Sequence, residues 1–480
     1  MIPIKTFFLG SFRAGKYIVL FLFLWLTGVT ACTNSHLAES DFCPPINIPS
    51  LSDNATLVTV STPSSRWNCW NLQIFQIAAA QHPELNVVIV EPKLVPLEGE
   101  LTTSVSEDFS AGIGPDIFRA SLSEIWRLQQ SNVISPLTDC VEKHQEQFQQ
   151  IPVEFWEAVT LNGEIWAVPI AFEPDLLFFN KVLLQELGWS DEEIDTLPER
   201  IAQGQFLFDD MLETATAAEN RGIIASGNGY WPRLSGKRTV DLNYLSFGGT
   251  LDHLQGEVLQ ISQSIMTDVL TFRQEIAESN LIPPGFEGHE NNDWSVRIAR
   301  RDAVAAGRVL FWENHLSEIA NYYYNYSNSG ERFTDIYGVA SLPVHQTGKT
   351  SYVNLSLRGL VIGSVEATGR NNQSIACDLL AHTLIPEVLA QYSVSIMQLP
   401  TLPEAYQLPT LQQHALLSEV LDASTHFYLF YDTPDKMLFR EIAIEYFYRV
   451  ERGEIPPEEG TIALIDRKST RLNSSHLVIS

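Results

Sequence analysis

Pairs of carboxylates are the residues of this sequence that could most directly do chemistry. Glu173 and Asp175 flank Pro174, and Asp108 lies shortly before Asp116. Two carboxylates about 5 to 9 Å apart can hydrolyse a glycosidic bond. The chain has 58 Asp and Glu residues, so acid pairs also arise on an ordinary solvated surface. Since no Gly-x-Ser-x-Gly, His-Glu-x-x-His or Gly-x-Gly-x-x-Gly motif occurs, we expect no enzyme.

The amino terminus has the parts of a signal peptide: basic residues, an apolar run from Tyr17 to Val29, and small residues leading to Cys32. The run is shorter than the roughly 20 residues of a membrane-spanning helix, so a permanent span is the weaker alternative. The segment Val29-Thr30-Ala31-Cys32 resembles the lipobox of bacterial lipoproteins. That resemblance implies cleavage before Cys32 and membrane attachment through acyl chains on its sulfur. A chance cysteine after an ordinary signal peptide is the alternative.

The other cysteines are Cys43, Cys69, Cys140 and Cys377, an even number once Cys32 carries lipid. Outside the cytoplasm they could form two disulfides in any of three connectivities. We favour Cys43 with Cys69 and Cys140 with Cys377, and four free thiols are the alternative. No Cys-x-x-Cys or His-x-x-x-His spacing occurs, so we expect no metal and no cofactor.

The composition and net charge limit which classes of protein this chain can belong to. The chain has 480 residues, 45% of them hydrophobic and 18% charged, which is enough to fold into two or three compact units. Its net charge of −28 repels a phosphate backbone, so we expect no nucleic-acid partner.

Strands and helices alternate in the first part of the folded region. The pattern predicts a strand at 56–61, a helix at 70–81 and a buried strand at 86–91. A third strand follows Gly114-Pro115-Asp116, and Ser121 with Glu124 forms a capping box that opens a helix ending near residue 130. This order predicts an α/β fold with parallel sheets flanked by helices, whose ligands bind at the carboxyl ends of the strands.

An ordered series of short motifs follows: Gly114-Pro115-Asp116-Ile117, then Pro136-Leu137, then 163–169 (GEIWAVP), then Phe179-Asn180-Lys181. A second block contains 306–312 (AGRVLFW), 337–343 (YGVASLP) and 376–380 (ACDLL). In order and spacing these motifs resemble the extracellular solute-binding proteins of family 1, the carbohydrate-binding receptors of ABC importers. The resemblance extends over roughly residues 56–403.

The resemblance implies a two-lobed periplasmic-binding-protein fold of the type II-like class, with a hinge between the lobes. We assign 1–31 to the lipoprotein signal peptide, 32–54 to a tether, and 55–135 to lobe 1, with about 338–366 returning to it. Lobe 2 takes 136–337 with about 367–466. Residues 467–480 are basic and Ser-rich after an acidic stretch, and we interpret them as a non-native tail.

The resemblance further implies a monomer that captures a small-molecule carbohydrate or polyol and delivers it to the transmembrane subunits of an ABC permease. Sugars bind to aromatic platforms and to hydrogen-bonding charged groups. The expected ligand-binding residues are Arg66, Trp67, Asp116, Glu173, Tyr230, Trp231, Trp312 and Asn354, with Arg358 beside the last of them.

Each expected ligand residue also has a structural interpretation. Trp312 could pack in the core, Asp116 could cap the next helix, and Arg358 could pair with a surface acid. At the level of function, the alternatives are a surface sensor or scaffold lipoprotein with the same fold, and a secreted glycoside hydrolase.

Overall fold

The computed structural model describes residues 55–61, 63–64, 69–90, 95–96, 107–232, 236–251, 259–282, 294–319, 333–347, 349, 351, 353, 355–423 and 434–476. The chain divides into two units, Met1–Pro45 and Ile46–Ser480, and every described residue belongs to the second. Within the described residues, no helix combines the length and the apolar character needed to cross a membrane.

The strands are β1 (Thr56–Ser61), β2 (Pro63–Ser64), β3 (Val87–Val90), β4 (Val95–Pro96), β5 (Ile117–Ser121), β6 (Thr160–Leu161), β7 (Glu164–Ile165), β8 (Val168–Asn180), β9 (Tyr230–Trp231), β10 (Phe311–His315), β11 (Tyr337–Ala340), β12 (Leu355–Ile362) and β13 (Leu399–Pro400).

The helices are α1 (Cys69–Gln81), α2 (Leu122–Gln130), α3 (Thr138–Lys143), α4 (Gln145–Phe148), α5 (Val153–Ala158), α6 (Lys181–Leu187), α7 (Asp191–Asp195), α8 (Leu197–Ala202), α9 (Phe208–Asn220), α10 (Gly236–Ser246), α11 (Gln263–Glu278), α12 (Trp294–Ala305), α13 (Phe333–Ile336), α14 (Val365–Thr368), α15 (Gln373–Ala381), α16 (Pro386–Ile396), α17 (Pro409–Gln412), α18 (Ala415–Ala423), α19 (Pro434–Glu451) and α20 (Pro457–His476). The described residues also contain the 3-10 turns Pro83–Leu85 and Pro403–Gln407.

The predicted β-α-β unit is present. Strands β3, β1 and β5 are parallel neighbours, and α1 connects β1 to β3. Val58 and Val60 are fully buried in β1, and Ile74, Phe75 and Ala78 form the buried stripe of α1. The predicted capping box of Ser121 and Glu124 starts α2. The predicted parallel pairing is thus present in part of the sheet, while β12 and β13 are antiparallel to β8, so the sheet as a whole is mixed.

Strand β8 is the central element of the molecule, and all its residues are buried. Its first half, up to Pro174, pairs with β12 and β13. Its second half, from Asp175, pairs with β10 and β11. We call the part of the sheet around β1, β5, β12 and the first half of β8 the first lobe, and the part around β9, β10, β11 and the second half of β8 the second lobe. One strand therefore runs through both lobes and changes partners between them.

Local chemistry explains two of the sequence motifs. Asn162 and Gly163 both have positive φ, at 56° and 83°, which is the geometry of the type I′ turn that joins β6 to β7. Asn180 ends β8, and its side chain accepts a hydrogen bond from the Leu183 amide at 3.0 Å to cap α6. The same side chain donates to the Gly307 carbonyl at 2.9 Å, which ties the two motif blocks together.

A second hydrophobic core lies among α10, α11, α19 and α20. Val240, Leu270, Phe447 and Leu464 are fully buried in it. Helix α20 continues into the segment that we interpret as a tail, where Lys468 is buried and its ammonium group donates to the Leu259 carbonyl. Residues 477–480 lie outside the described residues.

Helices α15 and α16 pack against α1, in the first lobe. The sequence-based division places residues from about 367 onward in lobe 2. We now propose that this return begins after β13, because β13 also pairs with the first half of β8. A disulfide between Cys140 and Cys377 joins α3 to α15, and it is one of the two pairings favoured from the sequence.

Candidate functional site

A cluster of polar side chains surrounds Glu173, where β8 changes partners. The side chain of Glu173 is 1% exposed. One carboxylate oxygen accepts a hydrogen bond from the Ser317 amide at 2.8 Å and lies 3.6 Å from Nε2 of His315. The other lies 3.5 Å from a guanidinium nitrogen of Arg358 and 3.5 Å from the amide nitrogen of Gln398. We call these five residues the junction cluster.

Five separate segments of the chain position the junction cluster, beginning with β8, which contains Glu173. Glu173 lies opposite Ser356 of β12, and Arg358 follows on that strand. His315 is the last residue of β10, and Ser317 lies in the helical turn at 316–319. Gln398 directly precedes β13. The cluster therefore combines residues of both lobes at the point where the two parts of the sheet meet.

The junction cluster keeps its buried carboxylate ionised. Burial by itself would raise the pKa of Glu173, but the positive charges of His315 and Arg358 and the hydrogen bonds from Ser317 lower that pKa to about 2. A carboxylate this acidic cannot donate a proton at neutral pH. Glu173 is thus suited to accept hydrogen bonds, and it is unsuited to the general-acid role that a glycosidase requires.

Arg358 and His315 connect the buried carboxylate to solvent. Their side chains are 25% and 21% exposed. Nε of Arg358 has no hydrogen-bond partner among the described residues. A guanidinium group carries five N–H donors in a planar fork, so Arg358 retains donors for a further acceptor.

Asp116 occupies a different environment from the one expected. It precedes β5 and therefore lies at the amino end of that strand, and not at the carboxyl end where ligands bind. Its carboxylate accepts hydrogen bonds from the Thr59 amide and hydroxyl at 2.8 Å and from Arg370 at 3.0 Å. These contacts join three segments of the first lobe and indicate a structural role.

Tyr230 and Trp231 lie on β9 and are 1% and 3% exposed. The Tyr230 hydroxyl donates to the Glu313 carboxylate, and burial together with that negative charge raises the pKa of Tyr230 well above its usual value. The indole of Trp231 donates to the Gly227 carbonyl. Both aromatic faces are packed inside the second lobe, which favours a structural role over the stacking platform expected from the sequence.

Trp312 is a core residue in this structure. Its side chain has no exposed surface, and its ring stacks on Phe178 at 4.4 Å between centroids. Tyr337 contacts it edge-on at 5.8 Å. Of the two interpretations that the sequence left open, the geometry favours packing.

The remaining expected ligand residues, Arg66, Trp67 and Asn354, lie outside the described residues, as do Cys32 and Cys43. Cys69 begins α1, and its side chain is likewise outside the description.

Sequence reasoning missed His315, Ser317 and Gln398 as partners of Glu173. The carboxyl-end rule pointed to the end of β10, and His315 follows directly after the Trp312-Glu313-Asn314 segment considered there. No pattern marks Gln398, because it lies 225 residues from Glu173 and precedes a strand of two residues.

A second buried charge cluster lies between α10 and α19. Nε of Arg440 donates to the Asp241 carboxylate, and the two side chains are 6% and 0% exposed. Asn243 is also buried on α10, and its side-chain oxygen has no hydrogen-bond partner among the described residues. Lys436 is buried one turn before Arg440.

A cavity of about 610 Å³ lies in the first lobe, beside β5 and α2. Phe118, Arg119, Arg127 and Glu366 are among the residues that line it. No member of the junction cluster borders this cavity.

Comparisons with solved structures find the same fold over most of the chain. The GacH receptor of Streptomyces glaucescens, solved without ligand and with acarbose, has a TM-score of 0.68 and 16% identity, covering 86% of this chain and 98% of that one. Maltose-bound MalE3 of T. maritima has a TM-score of 0.67 and 18% identity, covering 87% and 100%. The sugar-binding protein MalE of Xanthomonas citri has a TM-score of 0.68 and 15% identity, covering 88% and 99%. No protein-family profile and no curated protein matches the chain in sequence. The chain thus has the two-lobed α/β fold of these binding proteins.

Proposed function

We propose that this protein is the substrate-binding receptor of an ABC importer and that it captures a carbohydrate or a related polyol between its two lobes. The observation that carries the proposal is the junction cluster, in which Glu173 of the shared strand meets charged residues of both lobes. The similarity to binding proteins solved with acarbose and with maltose supports the ligand class. Fold alone does not determine function, so the site must carry the proposal.

The chemistry of the junction cluster suits sugar hydroxyl groups. An ionised Glu173 accepts hydrogen bonds, and the fork of Arg358 donates them. A hydroxyl group both donates and accepts, so one hydroxyl can bridge such a pair. An acceptor next to donors favours a ligand group that can both donate and accept, and an ionised phosphate group can only accept.

The buried polar residue Asn243 of α10 is a second element of the proposed site. Helix α10 starts shortly after β9, and β9 is parallel to β10, whose last residue is His315. The carboxyl ends of these strands lie at one edge of the sheet, where α/β proteins bind ligands. We propose that Asn243, whose amide oxygen has no hydrogen-bond partner among the described residues, faces a ligand hydroxyl group there.

In this proposal, the protein captures its ligand when the two lobes close around it. A ligand that contacts both lobes stabilises the state in which the lobes approach each other, by as much as its contacts differ between the two states. The partner change of β8 near Glu173 provides a hinge in the middle of the site. The permease then recognises the closed conformation of the receptor.

Export and membrane attachment complete the proposal. The leader and lipobox direct the protein out of the cytoplasm and place a lipid on Cys32, which holds the receptor beside the permease in the membrane. The disulfide of Cys140 and Cys377 is consistent with an oxidising compartment.

Thermal unfolding of the purified chain against a panel of sugars tests the proposal. Mono- and disaccharides, maltodextrins and polyols are added at millimolar concentration, with sugar phosphates as the charged comparison. Ligand at 100 times Kd adds about 2.7 kcal/mol to the free energy of unfolding, so the midpoint should rise for one class of neutral sugar. The sugar is assayed after each scan. No shift with any sugar would favour the sensor or scaffold function, and consumption of the sugar would establish the hydrolase.

A further inference from the structure

Three imidazole rings from distant parts of the chain meet on the surface of the first lobe. His82 follows α1, His144 lies between α3 and α4, and His382 follows α15. The rings of His82 and His382 are stacked with centroids 3.6 Å apart, and those of His144 and His382 lie 6.3 Å apart, edge to face. We call these residues the histidine cluster. None of them belongs to the junction cluster.

Carboxylates orient two of the three rings. Nδ1 of His82 lies 2.9 Å from the Glu84 carboxylate, and Nε2 of His144 lies 2.8 Å from the Asp378 carboxylate. Each contact engages one ring nitrogen and leaves the opposite nitrogen as the candidate ligand atom. In metal sites, a histidine ligand characteristically donates its other N–H to a carboxylate, which fixes the tautomer and the ring orientation. The histidine cluster has this arrangement twice.

We propose that the histidine cluster binds one divalent transition-metal ion of the zinc or nickel class. Three imidazole nitrogens suit such ions, while Asp378 and Glu84 act as the carboxylates behind the ligands. Binding in this proposal requires the stack of His82 on His382 to open by rotation of one side chain, so that both nitrogens turn to the ion. The ammonium group of Lys143 also contacts Asp378, and it balances part of the carboxylate charge.

The disulfide holds two of the segments in place for this site. Cys140 lies one turn before His144, and Cys377 directly precedes Asp378. The sulfur of Cys377 is close to both His144 and Asp378, but it is bonded to Cys140 and so is not a thiolate ligand. The covalent link between α3 and α15 therefore reduces the conformational entropy lost when the ligands assemble on the ion.

Titration calorimetry with ZnCl2, repeated with NiCl2, tests the site on the purified chain with its disulfide oxidised. We expect one zinc ion per chain. The variants His82→Gln, His144→Gln and His382→Gln should each weaken zinc binding at least tenfold, and Asp378→Asn about tenfold through the orientation of His144. His315→Gln and Glu146→Gln are the matched controls, because they remove a histidine of the junction cluster and an exposed acid outside the histidine cluster.

Circular dichroism and the melting temperature establish that each variant is folded before its affinity is compared. Any variant that fails to fold is replaced by the corresponding Asn substitution. The site is refuted if the folded wild-type chain binds neither zinc nor nickel. It is refuted equally if the three histidine variants bind zinc as tightly as the wild type, or if His315→Gln weakens binding as much as they do.

Discussion

Asp116 and Glu173 are both carboxylates with 1% exposure, and each has a partly exposed arginine beside it, yet their surroundings differ. Asp116 accepts hydrogen bonds of 2.8 to 3.3 Å from Thr59, Arg370 and Asn372. Arg370 in turn donates to the Thr59 hydroxyl and the Gly114 carbonyl.

The contacts of Glu173 with charged side chains are longer. His315 and Arg358 lie 3.6 and 3.5 Å from it, and Nε of Arg358 has no hydrogen-bond partner among the described residues. Since Asp116 and Glu173 are equally buried, burial of a charge alone does not identify a binding site. A closed network such as that of Asp116 stabilises the fold, while a network with donors left over can receive a ligand.

Replacing Asp116 gives the largest expected effect. Asp116→Asn replaces one accepting oxygen of the buried carboxylate with an amide group that faces hydrogen-bond donors, and it removes the charge partner of the partly exposed Arg370. These losses should lower the free energy of unfolding by about 4 kcal/mol. Urea denaturation measures the change. Sugar affinity should stay the same in the folded fraction, and a weakened affinity would place Asp116 in the site and remove the contrast.

Acid should reveal the ionised state of Glu173. Its pKa is about 2 in the folded protein against an ordinary 4.5, so its stabilising contribution is complete above pH 4.5 and is lost as the pH falls toward 2. The contribution amounts to about 3 kcal/mol, because one pKa unit corresponds to about 1.4 kcal/mol. The difference in unfolding free energy between wild type and Glu173→Gln, followed from pH 6 to pH 2, isolates this residue from the other carboxylates. A constant difference over that range would contradict the assignment.

Tyr230 tests whether the aromatic residues expected at the site belong to the fold. Tyr230→Phe removes a buried hydroxyl that donates to the Glu313 carboxylate, so the free energy of unfolding should fall by about 2 kcal/mol. We expect no change of sugar affinity in calorimetry. If affinity falls while stability is kept, the second-lobe core is part of the binding surface.

Arg358→Lys should have the smallest effect on free energy, and its sugar affinity can be compared directly with that of Arg370→Lys. Lysine keeps the charge beside Glu173 but loses the planar fork, so sugar affinity should fall about tenfold, or about 1.4 kcal/mol, with little change in stability. Arg370→Lys is the matched control in the Asp116 network and should leave affinity unaltered. Equal affinities of the two variants would show that the fork of Arg358 does not contact the ligand.

Local patterns made much of the fold predictable. The strand at 56–61 and the capping box at Ser121 follow from short-range periodicity and from hydrogen bonding of neighbouring residues. The motif series also led to Glu173 itself. The partners of Glu173 could not be predicted, because His315 and Gln398 reach it only through the pairing of distant strands. The burial of Trp312 and Tyr230 could not be predicted from the sequence either. An aromatic residue at a strand end has the same sequence pattern in a core and in a binding site.

Calorimetry of Glu173→Gln and Asp116→Asn with the sugar that most raises the melting temperature separates a ligand-binding role of Glu173 from a structural one. Removing the charge of Glu173 leaves Arg358 and His315 uncompensated in the proposed site and deletes a hydrogen-bond acceptor. We predict a loss of affinity of about 2 kcal/mol, roughly 30-fold, for Glu173→Gln and no loss for folded Asp116→Asn. Unchanged affinity in Glu173→Gln, or an equal loss in both variants, would contradict the account.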